Sequence, residues 1–303
     1  MRSWRGLPLL AAVLALTACG GHRATRPGPA SAGATHHGWF HRGDDTSLPQ
    51  DERYSERTDS APSGAPPAWI YTMPEPVPKA EPRALYGNRS PYSVLGRTYR
   101  VLPTAQGYDE RGIASYYGDK FHGYKTSDLE DYDMYKFTAA SKVLPLPSYA
   151  RVTNLANGKS VIVRVNDRGP FHENRIIDLS YAAAVRIGIW PKGTGLVEVQ
   201  GIDPSAPSRP QREPPPPAPV TSPGGSPGIY LQVGAFSDPA NAERVAVRLR
   251  QANFAPVQVE QVQIDGRTIR RVRVGPLDSV DRADDVTERI ERMGLPRPKV
   301  AVD

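Results

Sequence analysis

The sequence predicts two small folded parts behind a disordered N-terminal tether: a mainly β closed barrel, then an α+β unit of βαββαβ order. Three observations carry this. Residues 19–83 are rich in Pro, Gly, Ser, Ala and charge without a sustained apolar period, a composition that cannot bury enough surface to offset its ordering entropy. Residues 204–227 hold 10 prolines in 24 positions, which reads as an extended spacer with a reach of at most about 75 Å. Between and beyond these lie 84–203, with many short β runs, and 228–303, where period 2 alternates with period 3.6.

Residues 1–18 read as an export signal. Arg2 and Arg5 precede an apolar run from Leu7 to Leu16, too short for the roughly 20 residues that span a bilayer. The run ends in Leu16-Thr17-Ala18-Cys19-Gly20, which resembles the bacterial lipobox, whose cysteine is acylated and becomes the first residue of the mature chain. Cys19 is the chain's single cysteine, so the expectation is a lipid-anchored protein without an internal disulfide. Gly20 in place of aspartate implies outer-membrane sorting, facing the periplasm. The net charge of +6 would suit nucleic acid, but an exported chain meets none; a cell wall bearing lactyl and peptide carboxylates fits the charge equally well.

In 84–203, Gly112–Gly118 is a short β run, and Arg151–Leu155 and Ser160–Val165 flank Asn157-Gly158, a strong hairpin signal. Ile176–Leu179 is a further strand, Ser180 caps a helix from Tyr181 to Ile187 stopped by Gly188, and Leu196–Gln200 closes the part. Many short strands with little helix suggest a small closed barrel. In 228–303, Ile229, Leu231 and Val233 alternate with Tyr230 and Gln232. Asp238-Pro239 caps a helix whose buried face is Ala242, Val245, Ala246 and Leu249. Strands Val257–Ile264 and Arg267–Val274 turn at Asp265-Gly266. A second helix carries Ala283, Val286, Ile290 and Met293, and Val300 and Val302 supply the last strand. Both helices on one face leave the other sheet face open to a ligand.

Several motifs occur in one order: Lys120-Phe121-His122-Gly123, Tyr132-Asp133-Met134, Thr138-Ala139-Ala140, Leu144-Pro145-Leu146-Pro147, Asn166-Asp167-Arg168-Gly169-Pro170-Phe171 and Asp178-Leu179-Ser180-Tyr181. Together they resemble the rare lipoprotein A (RlpA) family, which implies a double-psi β-barrel for this part. Gln232-Val233-Gly234-Ala235-Phe236 and Arg271-Val272-Arg273-Val274-Gly275-Pro276 resemble a SPOR domain, a wall-binding module of division sites. The resemblance implies a lytic transglycosylase acting without a cofactor on peptide-free glycan strands at the septum, with septal division proteins as candidate partners. It leaves a 1,6-anhydro end on N-acetylmuramic acid. The alternative is a septal lipoprotein that grips the wall without cutting it.

Such chemistry needs a carboxylic acid that protonates the glycosidic oxygen, then accepts a hydroxyl proton, and a negative charge near the oxocarbenium-like transition state. By resemblance, Asp167 and Glu130 take these positions. From pattern alone, Asp167 reads as a turn residue at the end of a valine-rich strand, with Arg168 free to pair with it and lower its pKa. Ser141 stands where the family often has histidine, and Leu129 where it has glycine; Ser141 and Arg168 are candidates for supporting roles. Gln232, Arg271 and Arg273 are the candidate glycan-binding residues, the two arginines being two apart on one strand and so on one face. His122 lacks cysteine partners and is not expected to hold a metal. Tyr116 and Tyr117 suit either a barrel core or a sugar-stacking surface.

Overall fold

The strand signals in the sequence become a closed barrel and a four-stranded sheet in a computed structural model, which describes residues 44, 48, 53, 54, 58–172, 174–205, 228–254 and 256–302. The export signal, Cys19 and linker residues 206–227 lie outside these. A short hairpin, β1 (Tyr92–Val94) and β2 (Arg97–Tyr99), precedes the barrel strands. These are β3 (Asp109–Tyr117), β4 (Thr138–Ser141), β5 (Ser148–Asn154), β6 (Ser160–Asp167), β7 (Arg175–Ser180) and β8 (Thr194–Ile202). They close in the order β3-β7-β4-β6-β5-β8, with β3–β7 and β4–β6 parallel and the other pairs antiparallel. The expected double-psi barrel is this closed sheet.

Hydrophobic burial sets the register. Val161, Val163 and Val165 of β6 are fully buried with Ile177 and Leu179 of β7, each such side chain contributing about 1.5–3 kcal/mol. One helix, α1 (Tyr181–Ile187), packs against the barrel through a run of small, fully buried residues, Ala182 to Ala184. Its ends are those the sequence specified. Ser180 Oγ accepts from the Ala183 amide, and Gly188 leaves the helix at φ +75°, where a side chain would be strained.

The packed region begins well before residue 84, the boundary that composition suggests. Residues 58–91 run across the barrel as a strap. Asp59 accepts from the amides of Gly118 and Lys120, Ile70 is fully buried in a 3₁₀ turn (Ala68–Tyr71), and Glu75 accepts from the Ile162 amide. The Asn88 side chain bonds both backbone groups of Leu146. Further upstream, Asp44 accepts from the Lys125 amide at 2.6 Å and pairs with Arg53, whose guanidinium donates to the Lys125 carbonyl. These anchors are polar or isolated, so no apolar period announces them.

The C-terminal part has the βαββαβ order expected: β9 (Ile229–Phe236), α2 (Pro239–Gln251), β10 (Val257–Ile264), β11 (Arg267–Leu277), α3 (Val280–Arg292) and β12 (Lys299–Val302). Its antiparallel sheet runs β10-β11-β9-β12. Asp238 caps α2 by accepting from the Ala240 amide, and Pro239 opens it. Leu231, Val272 and Val274 face Ala246, Leu249 and Ile290 in its core.

Candidate active site

The end of β6 and the loop 126–131 build the site together. Val161, Val163 and Val165 fix β6 in the core, so the strand delivers Asn166 and Asp167 to the barrel rim at a set height. Asp167 Oδ1 accepts three hydrogen bonds: from the Ser127 amide (2.8 Å), the Ser127 hydroxyl (2.6 Å) and the Arg168 amide (2.7 Å). Burial pushes the Asp167 carboxyl up; these hydrogen bonds and the Arg53 charge oppose it, and the result stays above the ordinary carboxylate range. Gly169 follows at φ +147°, a conformation open to glycine, and turns the chain away at once.

Arg168 does not pair with Asp167 through its side chain. Its guanidinium turns inward and donates to the carbonyls of Gly87 (2.7 Å), Ser141 (2.9 Å) and Leu144 (2.5 Å), and to Asn88 Oδ1 (3.3 Å). Burial pulls its pKa down to about 10. The residue is a brace joining the strap, β4 and β6, and only its backbone amide meets the aspartate.

Glu130 is held on the other side of the same loop. Its Oε2 accepts from Arg164 Nη1 (2.6 Å) and Asn166 Nδ2 (3.0 Å). Partial burial pushes this carboxyl up, but Arg164 and Asn166 together outweigh it and hold Glu130 below the ordinary range. The neighbouring carboxylates are engaged elsewhere: Asp128 accepts from Thr126 Oγ1, and Asp131 pairs with Lys125 at 2.6 Å. Leu129 sits at φ +70°, so the backbone shape that glycine would serve is kept, with a strained leucine in it.

Ser141 is 1% exposed, and its hydroxyl accepts from the amides of Val143 and Leu144. Among the described residues it makes no hydrogen bond to Asp167 or Glu130. It caps the turn after β4. Tyr117 is core, stacked on Tyr132 at 4.1 Å, whereas Tyr116 is half-buried and meets Tyr181 edge-on. His122 Nδ1 accepts from the Met134 amide.

Two further residues belong to the site that the sequence reading did not name. Arg164, the charged position among the valines of β6, also takes Glu81 of the strap through Nε (3.0 Å) and Nη2 (3.1 Å). Glu81 is thus tied through one guanidinium to Glu130, and it also accepts from the Tyr149 hydroxyl. The outward position of Arg164 is readable from strand alternation; nothing local marks Glu81. A second buried carboxyl, Asp178 on β7, is pushed up by burial and accepts from Ser115 Oγ.

In the C-terminal sheet, Gln232 lies across from Arg273, and Arg271 across from Glu260, so the three candidates share one face. They differ in exposure. Arg273 is 6% exposed, paired with Glu260 at 3.1 Å and set over the Tyr230 ring, while Gln232 and Arg271 are half-buried.

Residues 109–200 match the family described as lytic transglycolase, and residues 225–296 match the SPOR domain family. The endolytic peptidoglycan transglycosylase RlpA of Pseudomonas aeruginosa (strain UCBPP-PA14) is 39% identical over 276 residues, covering 76% of this chain and 80% of that one. The protein of the same description from Vibrio cholerae is 38% identical over 242 residues, covering 80% and 86%. A solved structure, the RlpA SPOR domain from Pseudomonas aeruginosa, is 35% identical across 24% of this chain and 97% of that one, with a TM-score of 0.24. With both folded parts matched in order and the relatives covered over most of their length, the chain belongs to the RlpA family of lytic transglycosylases.

Proposed function

We propose that this chain cuts the bond between N-acetylmuramic acid and N-acetylglucosamine in peptide-free glycan strands at the division septum, from an outer-membrane anchor at Cys19. The observation that carries the chemistry is the opposed pair of carboxyls, one at the end of β6 and one on the loop that docks against it: Asp167 held above its ordinary pKa, and Glu130 held below. Environments that push two carboxyls apart separate an acid from an anion. Asp167, protonated, gives its proton to the glycosidic oxygen as the bond to the anomeric carbon breaks. The muramoyl 6-hydroxyl then closes onto that carbon, and its proton passes to the Asp167 carboxylate, restoring the acid. Glu130 remains ionised and stabilises the positive charge between these steps. Water is not consumed.

The C-terminal sheet would bring the barrel to such strands, with Gln232 and Arg271 the accessible members of the binding face. Removing a stem peptide frees a lactyl carboxylate, a partner for an arginine fork. The test is incubation of the full chain with amidase-treated sacculi, followed by mass spectrometry. Anhydro-muramyl products are expected. Binding to the sacculi without such products would replace this reading with wall binding alone, the outcome that Ser141 in the usual histidine position favours. For the anchor, labelled palmitate incorporated equally into wild type and Cys19→Ala would remove Cys19 from it.

A further inference from the structure

Beside the acid, the β1–β2 hairpin, the strap, the 126–131 loop and the turn after β6 border an open pocket of about 220 Å³ lined by Gly87, Arg89, Tyr92, Val94, Ser127, Arg168 and Phe171. That is less than the roughly 300–1,000 Å³ of a pocket for a drug-sized ligand, and suits a single sugar ring. We propose that it is a subsite for one N-acetylmuramoyl residue whose lactyl carboxylate is free, with Arg89 as the group that reads the carboxylate. The inference rests on the glycan-cleaving reading above and deepens it: the barrel itself, and not only the C-terminal sheet, senses the missing peptide.

Charge is the first argument. The lining holds two arginines and no carboxylate. Arg168 is buried against carbonyls and Asn88 alone, so its charge is not cancelled by an ion pair, and its fork is already occupied. Arg89 is exposed and makes no hydrogen bond or ion pair among the described residues. The pocket therefore presents a positive floor and one available guanidinium, which calls for an anion.

The walls are apolar and fixed. Tyr92 and Phe171 line the pocket, and Tyr99 backs them in a row with ring centroids 5.5 and 5.9 Å apart. The Tyr92 hydroxyl donates to the Lys142 carbonyl at 2.8 Å, and Arg168 lies 5.7 Å from the centre of the same ring. A pyranose offers an apolar face to such rings, so the occupant is an anion carried on a sugar rather than a bare ion. The floor also abuts the acid. Ser127 lines the pocket and gives two of the three hydrogen bonds to Asp167. Gly87 stands so near that a Cβ there would lie 2.8 Å from the Ser127 carbonyl oxygen. A sugar in this pocket is a neighbour of the scissile bond. When the lactyl group carries a peptide, its carboxylate has become a neutral amide, and Arg89 loses its partner.

The test is a double-mutant cycle on binding, with the full chain in an Asp167→Asn background so that strands stay intact. The chain with Arg89 and its Arg89→Ala variant are each titrated with soluble peptide-free glycan strands, either native or with lactyl carboxylates converted to methylamides. Capping is expected to weaken binding by about tenfold more when Arg89 is present than in the Arg89→Ala variant, the scale of one charge-assisted hydrogen bond. Arg89→Lys should recover part of that coupling. Equal effects of capping on both proteins would overturn the proposal. Coupling of the expected size supports it whether or not the unmutated chain yields anhydro products, so failure of the catalytic reading and failure of this subsite are told apart.

Discussion

Asp167→Asn should make this protein less active and more stable at once. The amide keeps an oxygen to accept from Ser127 and from the Arg168 amide, so the loop stays docked, but it has no proton to give. General acid–base contributions are about 10²–10⁴-fold, and anhydro-muramyl product should fall by that factor. The stability change follows from linkage. Burial raises the Asp167 pKa on folding, so between the unfolded value and the raised one the native state binds more protons than the unfolded state. Wild-type stability therefore falls as pH rises through that window and levels off above it. The asparagine variant carries no such charge. At neutral pH the asparagine variant should therefore be more stable than wild type, and the difference should shrink as pH falls and Asp167 takes up its proton. Thermal melts from pH 3.5 to 8 and an end-point product assay read both halves. An asparagine variant that cuts at the wild-type rate, or melts lower than wild type at pH 7, refutes the reasoning.

Other perturbations separate strain, clamping and binding. Leu129→Gly releases a left-handed leucine worth about 1–2 kcal/mol, against about 0.4–1 kcal/mol of added chain entropy, so the urea midpoint should rise slightly; a fall would mean the Leu129 side chain packs usefully. Glu81→Gln removes a part-buried partner of Arg164 and should cost about 1–2 kcal/mol while lowering the Glu130 pKa further, since a like charge is lost; carboxyl chemical shifts followed against pH would show no change at Glu130 if Glu81 were idle. Gln232→Ala with Arg271→Ala should weaken retention on amidase-treated sacculi with little change in melting, whereas Arg273→Ala should lower the melting temperature, because it opens a buried site beside the Tyr230 ring. Equal melting temperatures for all three would contradict that division.

What the sequence made legible was whatever depends on neighbours in the chain. The α1 boundaries follow from Ser180 and Gly188, and α2 from Asp238-Pro239, because caps act within four residues. β4 was not legible: Thr138–Ser141 is short and buried at every position, so no alternation marks it. The strap escaped for a different reason. Asp59, Glu75 and Glu81 bond partners 59, 87 and 83 positions away, Ile70 joins the barrel core alone from its turn, and none repeats at a helical or strand period. In the site, Asp167 could be placed at a strand end from its valines, but not the inward turn of Arg168. That turn depends on carbonyls of Gly87 and Leu144, one from the strap and one beyond β4.

If Cys19 carries the lipid anchor proposed above, the early docking of the chain also shortens its leash. Were the barrel free up to residue 84, about 65 residues would separate it from Cys19, a span of at most roughly 230 Å when fully drawn out. The clasp between Asp44 and the Lys125 amide leaves only about 25 residues, or at most roughly 90 Å. With Cys19 in a membrane, the barrel would then work a thin layer of wall next to that membrane. Deeper strands would come within its range only when the clasp opens, making Asp44 and Arg53 a mechanical limit on where the enzyme can cut.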